Sequence, residues 1–522
     1  MKKEINTNYN ITVTGRGDAV HIECGVKENL LEAMIRQGIF VSASCGGRGT
    51  CGKCRLQLIK GKLDISTFDR AVFSEGELKE GYRLSCKAIP KSDCTIKLTT
   101  GDEADFEVIT DCQKTAKAKS IIAEDCAIAI DIGTTTIVVT LIELSSGNAL
   151  WTYSTVNKQR VYGADVITRI QASNAGKKDA LRESIQKDLL VGIRTVIGKT
   201  GIIKEKIKKV TIAGNTTMGH LLLGYSCETL GFYPFIPVNI KETILSFEEV
   251  MGCDELEVPV VLLPGISTYV GGDIVAGLLS CNFDITQAPC LLIDLGTNGE
   301  MAIGNKDKII VTSTAAGPAF EGGNISCGVG SIAGAICNID IEEKLNYRTI
   351  GDKTPIGICG TGVIELVFEL IKAGLVDDTG LLEETYFEDG YTVATDETGK
   401  RITFTQRDIR EIQLAKAAVR AGIELLIRRY EISYEDIDTV YLAGGFGYKV
   451  NIEKAVGIGL LPKELTGKIK AIGNSSLGGA IKYLLEDKAV DRMKHIIGVT
   501  SEINLSNDKD FNELYINQMY FE

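Results

Sequence analysis

One pattern is written twice in this sequence, and it constrains the fold of most of the chain. The first copy is Ala129-Ile130-Asp131-Ile132-Gly133-Thr134-Thr135-Thr136, running into Ile137-Val138-Val139-Thr140-Leu141. The second is Leu292-Ile293-Asp294-Leu295-Gly296-Thr297-Asn298-Gly299-Glu300. Each is an apolar strand, an Asp, a Gly-Thr turn and a second strand. Each also has the same sequel. Leu181, Ile185, Leu189, Ile193 and Val196 mark a helix that leads to the strand Val210-Thr211-Ile212-Ala213 and then Gly214-Asn215. Ile409, Ile412, Val419, Ile423 and Leu426 mark a second helix, with Thr405 and Asp408 as its capping pair. It leads to Val440-Tyr441-Leu442-Ala443 and then Gly444-Gly445-Phe446-Gly447. A single Asp-x-Gly-Thr arises by chance. Two copies with the same sequel predict two related lobes, residues 125–290 and 291–522, the second carrying a long insertion near residues 337–404.

The repeated hairpin has a definite chemistry. Its backbone N–H groups and hydroxyls suit phosphate oxygens, which makes Gly133, Thr134, Thr135, Gly296, Thr297 and Asn298 candidate phosphate-binding residues. Asp131 and Asp294, at the strand ends, can hold Mg²⁺ through water, because Mg²⁺ dehydrates reluctantly.

Residues 1–100 follow another logic. Ile11, Val13, Val20 and Ile22 alternate on two short strands around Gly15-Arg16-Gly17-Asp18. Leu30, Leu31, Met34 and Ile35 have helical spacing, with Gly38 as a stop. Then come Cys45, Cys51 and Cys54 in Ser44-Cys45-Gly46-Gly47-Arg48-Gly49-Thr50-Cys51-Gly52-Lys53-Cys54, and a fourth, Cys86. The spacing is C-x5-C-x2-C-x31-C. Four thiolates can hold a 2Fe–2S rhombus, two per iron. The intervening glycines let the loop curl and bring amide N–H groups towards inorganic sulfide. Zinc, the alternative, usually takes two short Cys-x2–4-Cys pairs, and only one occurs here. Residues 101–124 show no period and read as a linker, about 80 Å long if extended at ~3.3 Å per residue.

The formal charge of −12 argues against a nucleic-acid surface. No run of about 18 apolar residues suggests a membrane span, and MKKEINTNYN has no apolar stretch of a secretory signal. Fifteen cysteines, mostly far apart, suit a reducing, cytoplasmic compartment rather than a disulfide framework. Those outside the loop pattern, Cys24 and Cys94 among them, are expected to be packing residues. Gly360-Thr361-Gly362 and Gly473-Asn474-Ser475-Ser476 each open a helix-like stretch and suit either a phosphate or a plain cap. His220 reads as structural, and Glu321 in Gly317-Pro318-Ala319-Phe320-Glu321-Gly322-Gly323 faces either the nucleotide cleft or a partner.

The cysteine segment resembles 2Fe–2S ferredoxins of the β-grasp fold, with the five-residue first gap of the adrenodoxin-type and fused-ferredoxin variants. The duplicated segment resembles the superfamily of actin, sugar kinases, acetate kinase and heat-shock chaperone ATPases, which bind ATP between two lobes. The fold class expected is thus an α+β β-grasp ferredoxin domain followed by an α/β duplicated actin-like (ribonuclease H-like) ATPase fold. By that resemblance Gly444, Gly445 and Gly447 belong to the adenosine motif. Asp273, in Val270-Gly271-Gly272-Asp273, matches the catalytic Asp of glycerol- and xylulose-type kinases, where a hydrolase would orient and deprotonate water; the plain alternative is a helix N-cap. The fusion itself, with Gly214-Asn215-Thr216-Thr217-Met218 and the run Ala316 to Gly323, resembles the reductive activators of corrinoid proteins. That resemblance implies ATP-dependent return of a corrinoid (cobalamin-binding) protein of a methyltransferase system from Co(II) to Co(I). It implies a low-potential electron donor, a 2Fe–2S cluster, ATP and Mg²⁺ as cofactors, and allows a homodimer. A small-molecule kinase with a redox regulatory domain, or a nucleotide-dependent redox-sensing module, are the competing readings.

Overall fold

The computed structural model describes residues 8–15, 18–39, 41, 43, 45–99, 124–342, 344–444 and 450–521. The expected linker therefore lies outside the described residues but for Glu124, and so do Gly445 and Gly447. The chain forms two compact units. One comprises residues 1–104, 156–188 and 220–235; the other comprises residues 105–155, 189–219 and 236–522. Among the described residues no helix is long and apolar enough to cross a membrane.

In the first unit, β1 (Asn8–Thr14), β2 (Val20–Gly25), β3 (Arg55–Lys60), β4 (Tyr82–Leu84) and β5 (Cys94–Leu98) form one sheet in the order β2-β1-β5-β3-β4. β1 and β5 are parallel, and the other neighbours are antiparallel. This is the β-grasp arrangement, with the helix Leu30–Arg36 against the sheet. Alternation decides which faces are buried: Ile11 and Val13 of β1, Ile22 and Cys24 of β2, and Cys94, Ile96 and Leu98 of β5 share one core with Leu30, Leu31 and Met34. Asn29 starts the helix by accepting the Glu32 N–H at 2.9 Å. Burial pushes the Cys24 thiol up to about 12, as befits a packing residue.

The second unit holds two six-stranded sheets. β6 (Cys126–Ile132), β7 (Thr136–Glu143), β8 (Ala149–Val156), β9 (Ile207–Gly214), β10 (Thr243–Ser246) and β11 (Pro259–Leu262) run in the order β10-β11-β9-β6-β7-β8. The other sheet begins with β12 (Cys290–Leu295), β13 (Gly299–Gly304) and β14 (Ile309–Thr314). An insertion follows, with a small sheet of β15 (Ala335–Ile341), β16 (Leu345–Thr349) and β17 (Gly357–Ile358) and a hairpin of β18 (Tyr391–Thr395) and β19 (Arg401–Phe404). β20 (Thr439–Ala443), β21 (Ile469–Gly473) and β22 (Thr500–Glu502) then complete the order β21-β20-β12-β13-β14-β22.

The duplication read from the sequence is a duplication of register. β6 pairs antiparallel with β7 and parallel with β9; β12 pairs antiparallel with β13 and parallel with β20. Asp131 stands opposite Ala213, and Asp294 opposite Ala443, so each Asp-Gly-Thr turn lies beside its own Ala-Gly. The helices Lys178–Thr200 and Gln406–Tyr430 occupy equivalent places in the two copies, and the second carries the expected Thr405–Asp408 capping box. Two further helices, Gly272–Ser280 and Ser475–Leu485, join both sheets in a common core that includes Ala129, Ala213, Ile274, Leu278, Leu292, Ala443 and Leu477. They cross at backbone distance: a Cβ on Gly479 would stand 2.0 Å from the Ala276 carbonyl oxygen. That crossing sets the N-terminal turns of both helices at the two strand-end aspartates.

Candidate functional site: thiol loop and carboxylate cleft

The cysteine loop is shaped by its glycines. Gly46, Gly47, Gly49 and Gly52 all take positive φ, between 60° and 85°, where a side chain is strained. The result is two pairs of thiols. Cys51 donates to the sulfur of Cys45, and Cys86 to that of Cys54. The Cys51 thiol, aided by the N–H groups of Cys51, Thr50 and Gly49, pulls Cys45 down to about 4. The Cys86 thiol and N–H pull Cys54 down to about 7, while Cys51 and Cys86 are raised by their partners and by burial. Among the described residues, no three His, Cys, Asp or Glu side chains form a group suited to one metal ion; the thiols stand two and two. Paired sulfurs with N–H groups aimed at them fit a cluster that takes two thiolates per iron. Gly46 also marks a seat. A Cβ there would stand 2.5 Å from the carbonyl oxygen of Tyr162, so the loop rests against the 3-10 turn Lys158–Val161 and its cap.

The second unit gathers four acids. Asp131 ends β6 and accepts the Ser476 hydroxyl at one carboxylate oxygen and the Asn474 amide at the other, both at 2.7 Å. Asp294 ends β12 and accepts the Ser475 hydroxyl at 3.3 Å. Asp273 lies in the first turn of Gly272–Ser280 and accepts the Ile274 N–H at 2.9 Å; the cap itself is Gly271, so the plain N-cap reading of Asp273 does not apply. Glu300 pairs directly across from Asp294 on β13. Asp131, Asp273 and Asp294 are half-buried. Burial and then Asp294 raise Asp273 to about 7, and burial and then Asp131 raise Asp294 to about 7. Burial lifts Asp131, and burial with Asp273 and Asp294 lifts Glu300 well above the ordinary range. The mutual repulsion that raises Asp273, Asp294 and Glu300 is relieved by a cation or by protons.

The Gly-Thr turns flank these acids. Gly133 N–H bonds the Thr136 carbonyl at 2.9 Å, and Gly296 N–H that of Asn298 at 3.0 Å. Thr134 accepts the Asn215 amide at 3.0 Å. The Thr135 and Thr297 hydroxyls are 3.1 Å apart. Gly444 has φ 93°, and a Cβ on it would stand 2.4 Å from the Leu295 carbonyl and 2.9 Å from an Asp294 oxygen, so only glycine suits that position. The structure thus brings Asp131, Asp273, Asp294, Gly133, Thr134, Thr135, Gly296, Thr297 and Gly444 to one cleft.

Sequence reasoning gave Glu300 no role here, and left Asn474, Ser475, Ser476 and Glu321 between two roles each. Asn474 was legible as a helix start, since it caps Ser475–Leu485 by accepting the Leu477 N–H at 2.7 Å; its second bond, to Asp131, spans 343 residues of sequence. Gly360-Thr361-Gly362 opens the helix Gly360–Lys372, where a Cβ on Gly362 would meet the Ile336 carbonyl at 2.2 Å. His220 is buried, with its ring edge-on to Tyr225 at 5.6 Å.

Comparison with known proteins adds the following. Family descriptions match along the chain: the 2Fe-2S iron-sulfur cluster binding domain at residues 12–91, the RACo middle region at 126–286, and the C-terminal domain of RACo, the ASKHA domain, at 288–522. The corrinoid activation enzyme RamQ of Eubacterium limosum is 35% identical over 433 residues, 76% of this chain and 70% of that protein. The [Co(II) methylated amine-specific corrinoid protein] reductase of Methanosarcina barkeri is 27% identical over 428 residues, 76% of each. A solved structure, a reductive activator for corrinoid,iron-sulfur protein, superposes over 98% of both chains with a TM-score of 0.70 at 28% identity.

Proposed function

The chain belongs to the family of reductive activators of corrinoid proteins, enzymes that join an iron–sulfur domain to an ASKHA nucleotide-binding domain, and we propose that it uses ATP to return a corrinoid protein from Co(II) to Co(I). The observation that carries this reading is the presence, in one chain, of a paired-thiol loop and an acid-lined double Gly-Thr cleft.

Cys45, Cys51, Cys54 and Cys86 would hold a 2Fe–2S cluster, which would supply a one-electron relay from a low-potential donor to the corrinoid. The loop N–H groups that favour the Cys45 thiolate stabilise negative charge at that position. Such centres in plant-type ferredoxins lie near −400 mV. Each further 100 mV uphill costs about 2.3 kcal/mol per electron, which is why fuel is joined to the electron path.

In the cleft, Gly133, Thr134, Thr135, Gly296, Thr297 and Asn298 cradle the phosphates, and Gly444 faces the adenosine, the role the resemblance also gives to Gly445 and Gly447. Asp131 and Asp294 carry the negative charge that a hydrated Mg²⁺ would balance; Ser475, Ser476 and Asn474 fix their orientation. Asp273 accepts the proton of the attacking water as ATP and water become ADP and phosphate, a task suited to a carboxyl raised to about 7. Opening of the cleft on product release then separates the activator from its partner.

The test is anaerobic purification followed by iron and sulfide analysis and optical assay of a Co(II) corrinoid protein. Two irons and two sulfides per chain, and ATP-dependent formation of Co(I), are expected. Cys51→Ser should abolish reduction while leaving nucleotide binding intact; a Cys51→Ser chain that reduces the corrinoid at full rate refutes the electron path.

A further inference from the structure

The carboxylate of Glu321 stands where the two copies of the repeated pattern meet. One of its oxygens accepts the Thr135 hydroxyl at 3.0 Å and the Thr297 hydroxyl at 3.0 Å. Thr135 belongs to the first Gly-Thr turn and Thr297 to the second, and the two hydroxyls are themselves 3.1 Å apart. A threonine hydroxyl owns a single hydrogen. A hydrogen donated to Glu321 is therefore not donated to a phosphate oxygen. A carboxylate that stayed in place beside incoming phosphates would also add like-charge repulsion in a site partly shielded from water.

We infer that Glu321 competes with the terminal phosphates of the nucleotide for the hydroxyls of Thr135 and Thr297, so that nucleotide binding requires the Glu321 side chain to let go. The inference rests on the nucleotide-cleft reading above and deepens it.

The local structure suits a side chain that swings on a fixed base. Glu321 is the last residue of the 3-10 turn Pro318–Glu321, between Gly317 at φ 75° and Gly322 at φ 76°. The turn is locked from within, Gly323 N–H bonding the Pro318 carbonyl at 2.8 Å, and Ala319 and Phe320 are buried in the core of the second lobe. Downstream, Ser326 is tied to Asp408, the capping acid of Gln406–Tyr430, through its N–H at 2.7 Å and its hydroxyl at 3.0 Å. Glu321 itself is only half-buried. Its carboxylate can leave the threonines without dismantling the turn. After hydrolysis the same carboxylate reclaims the two hydroxyls and favours departure of phosphate.

The experiment is calorimetric titration of the full-length cluster-loaded protein with Mg²⁺ and a non-hydrolysable ATP analogue, and separately with ADP, for wild type, Glu321→Gln and Glu321→Ala. Removing the competitor should tighten the analogue by roughly tenfold in Glu321→Ala, the worth of hydrogen bonds to a charged acceptor, with a smaller gain in Glu321→Gln and for ADP. Release of phosphate, followed by stopped flow, should slow in both variants. Unchanged affinity with a lower turnover number would make Glu321 catalytic and overturn the inference. Weaker binding with a lower melting temperature would make it structural and overturn it as well; Glu321→Gln, which keeps the side chain's shape, guards against simple misfolding of the alanine variant. A wild-type chain that binds no nucleotide overturns the cleft reading together with this inference, whereas a wild type that binds and variants that bind no more tightly overturn the inference alone.

Discussion

Asp273, Asp294, Asp131 and Glu300 set the residue-scale behaviour of the cleft, because four acids share one partly buried place. In an unfolded chain such carboxyls titrate near 4. In the folded protein they are raised, Asp273 and Asp294 to about 7. A raised carboxyl contributes stability that is complete below its unfolded value and is lost as pH rises through its folded value. With a chelator present, the melting temperature should therefore fall between about pH 4 and about pH 7. Added Mg²⁺ should restore it most at the alkaline end. A metal-free melting temperature flat across that range contradicts the cluster. Asp273→Asn should lower ATP hydrolysis about 10²- to 10⁴-fold while nucleotide affinity, measured by titration, changes little. Equal losses in both would make Asp273 a binding residue instead. The acids of the repeated motif were legible in the sequence because strand, Asp and Gly-Thr turn are contiguous. Glu321 and the Asn474–Ser476 turn were visible but unassignable, since the contacts that give them meaning join segments 186, 343 and 345 residues apart.

At the scale of elements, the strands and long helices were readable from local pattern, and the crossing at the centre was not. Period-two burial on β1, β2 and β5, and helical burial along Lys178–Thr200 and Gln406–Tyr430, are local patterns. The close crossing of Gly272–Ser280 and Ser475–Leu485 depends on which glycines face each other, and nothing in Gly478-Gly479 announces that the second meets Ala276. Gly479→Ala forces a Cβ onto a carbonyl oxygen and should destabilise the chain by about 1–3 kcal/mol, read by denaturant unfolding. It should also loosen the Ser475, Ser476 and Asn474 bonds to the two aspartates, so that nucleotide affinity falls with stability. Stability and affinity both at wild-type values would mean the helices part without cost.

At the scale of the whole molecule, charge is unevenly shared. The first 99 residues carry sixteen Lys and Arg against eleven Asp and Glu, in a chain whose formal charge is −12. Around the thiol loop, Arg48 is exposed and holds the Cys45 carbonyl at 3.0 Å, and Lys87 lies 4.5 Å over the exposed ring of Phe68. If the proposed function holds, these basic residues would suit an acidic electron donor. Reduction of the cluster by such a donor should slow as ionic strength rises, and Lys87→Glu should slow it at low salt; rates indifferent to salt would remove the electrostatic contribution. The fusion of two modules was plain in the sequence from the cysteine spacing and the repeat. The seating of Gly46 against Tyr162 was not, because a glycine chosen for curling a loop and one chosen for close approach look alike.

In this account ATP and the thiol loop serve one reduction. Single-turnover formation of Co(I) on a corrinoid protein, followed optically under anaerobic conditions with a limiting reductant, tests it most directly. Co(I) should form with ATP and not without it, and ATP hydrolysis should rise when the Co(II) protein is added. Equal Co(I) yields with and without ATP, or hydrolysis unmoved by the Co(II) protein, would contradict the account.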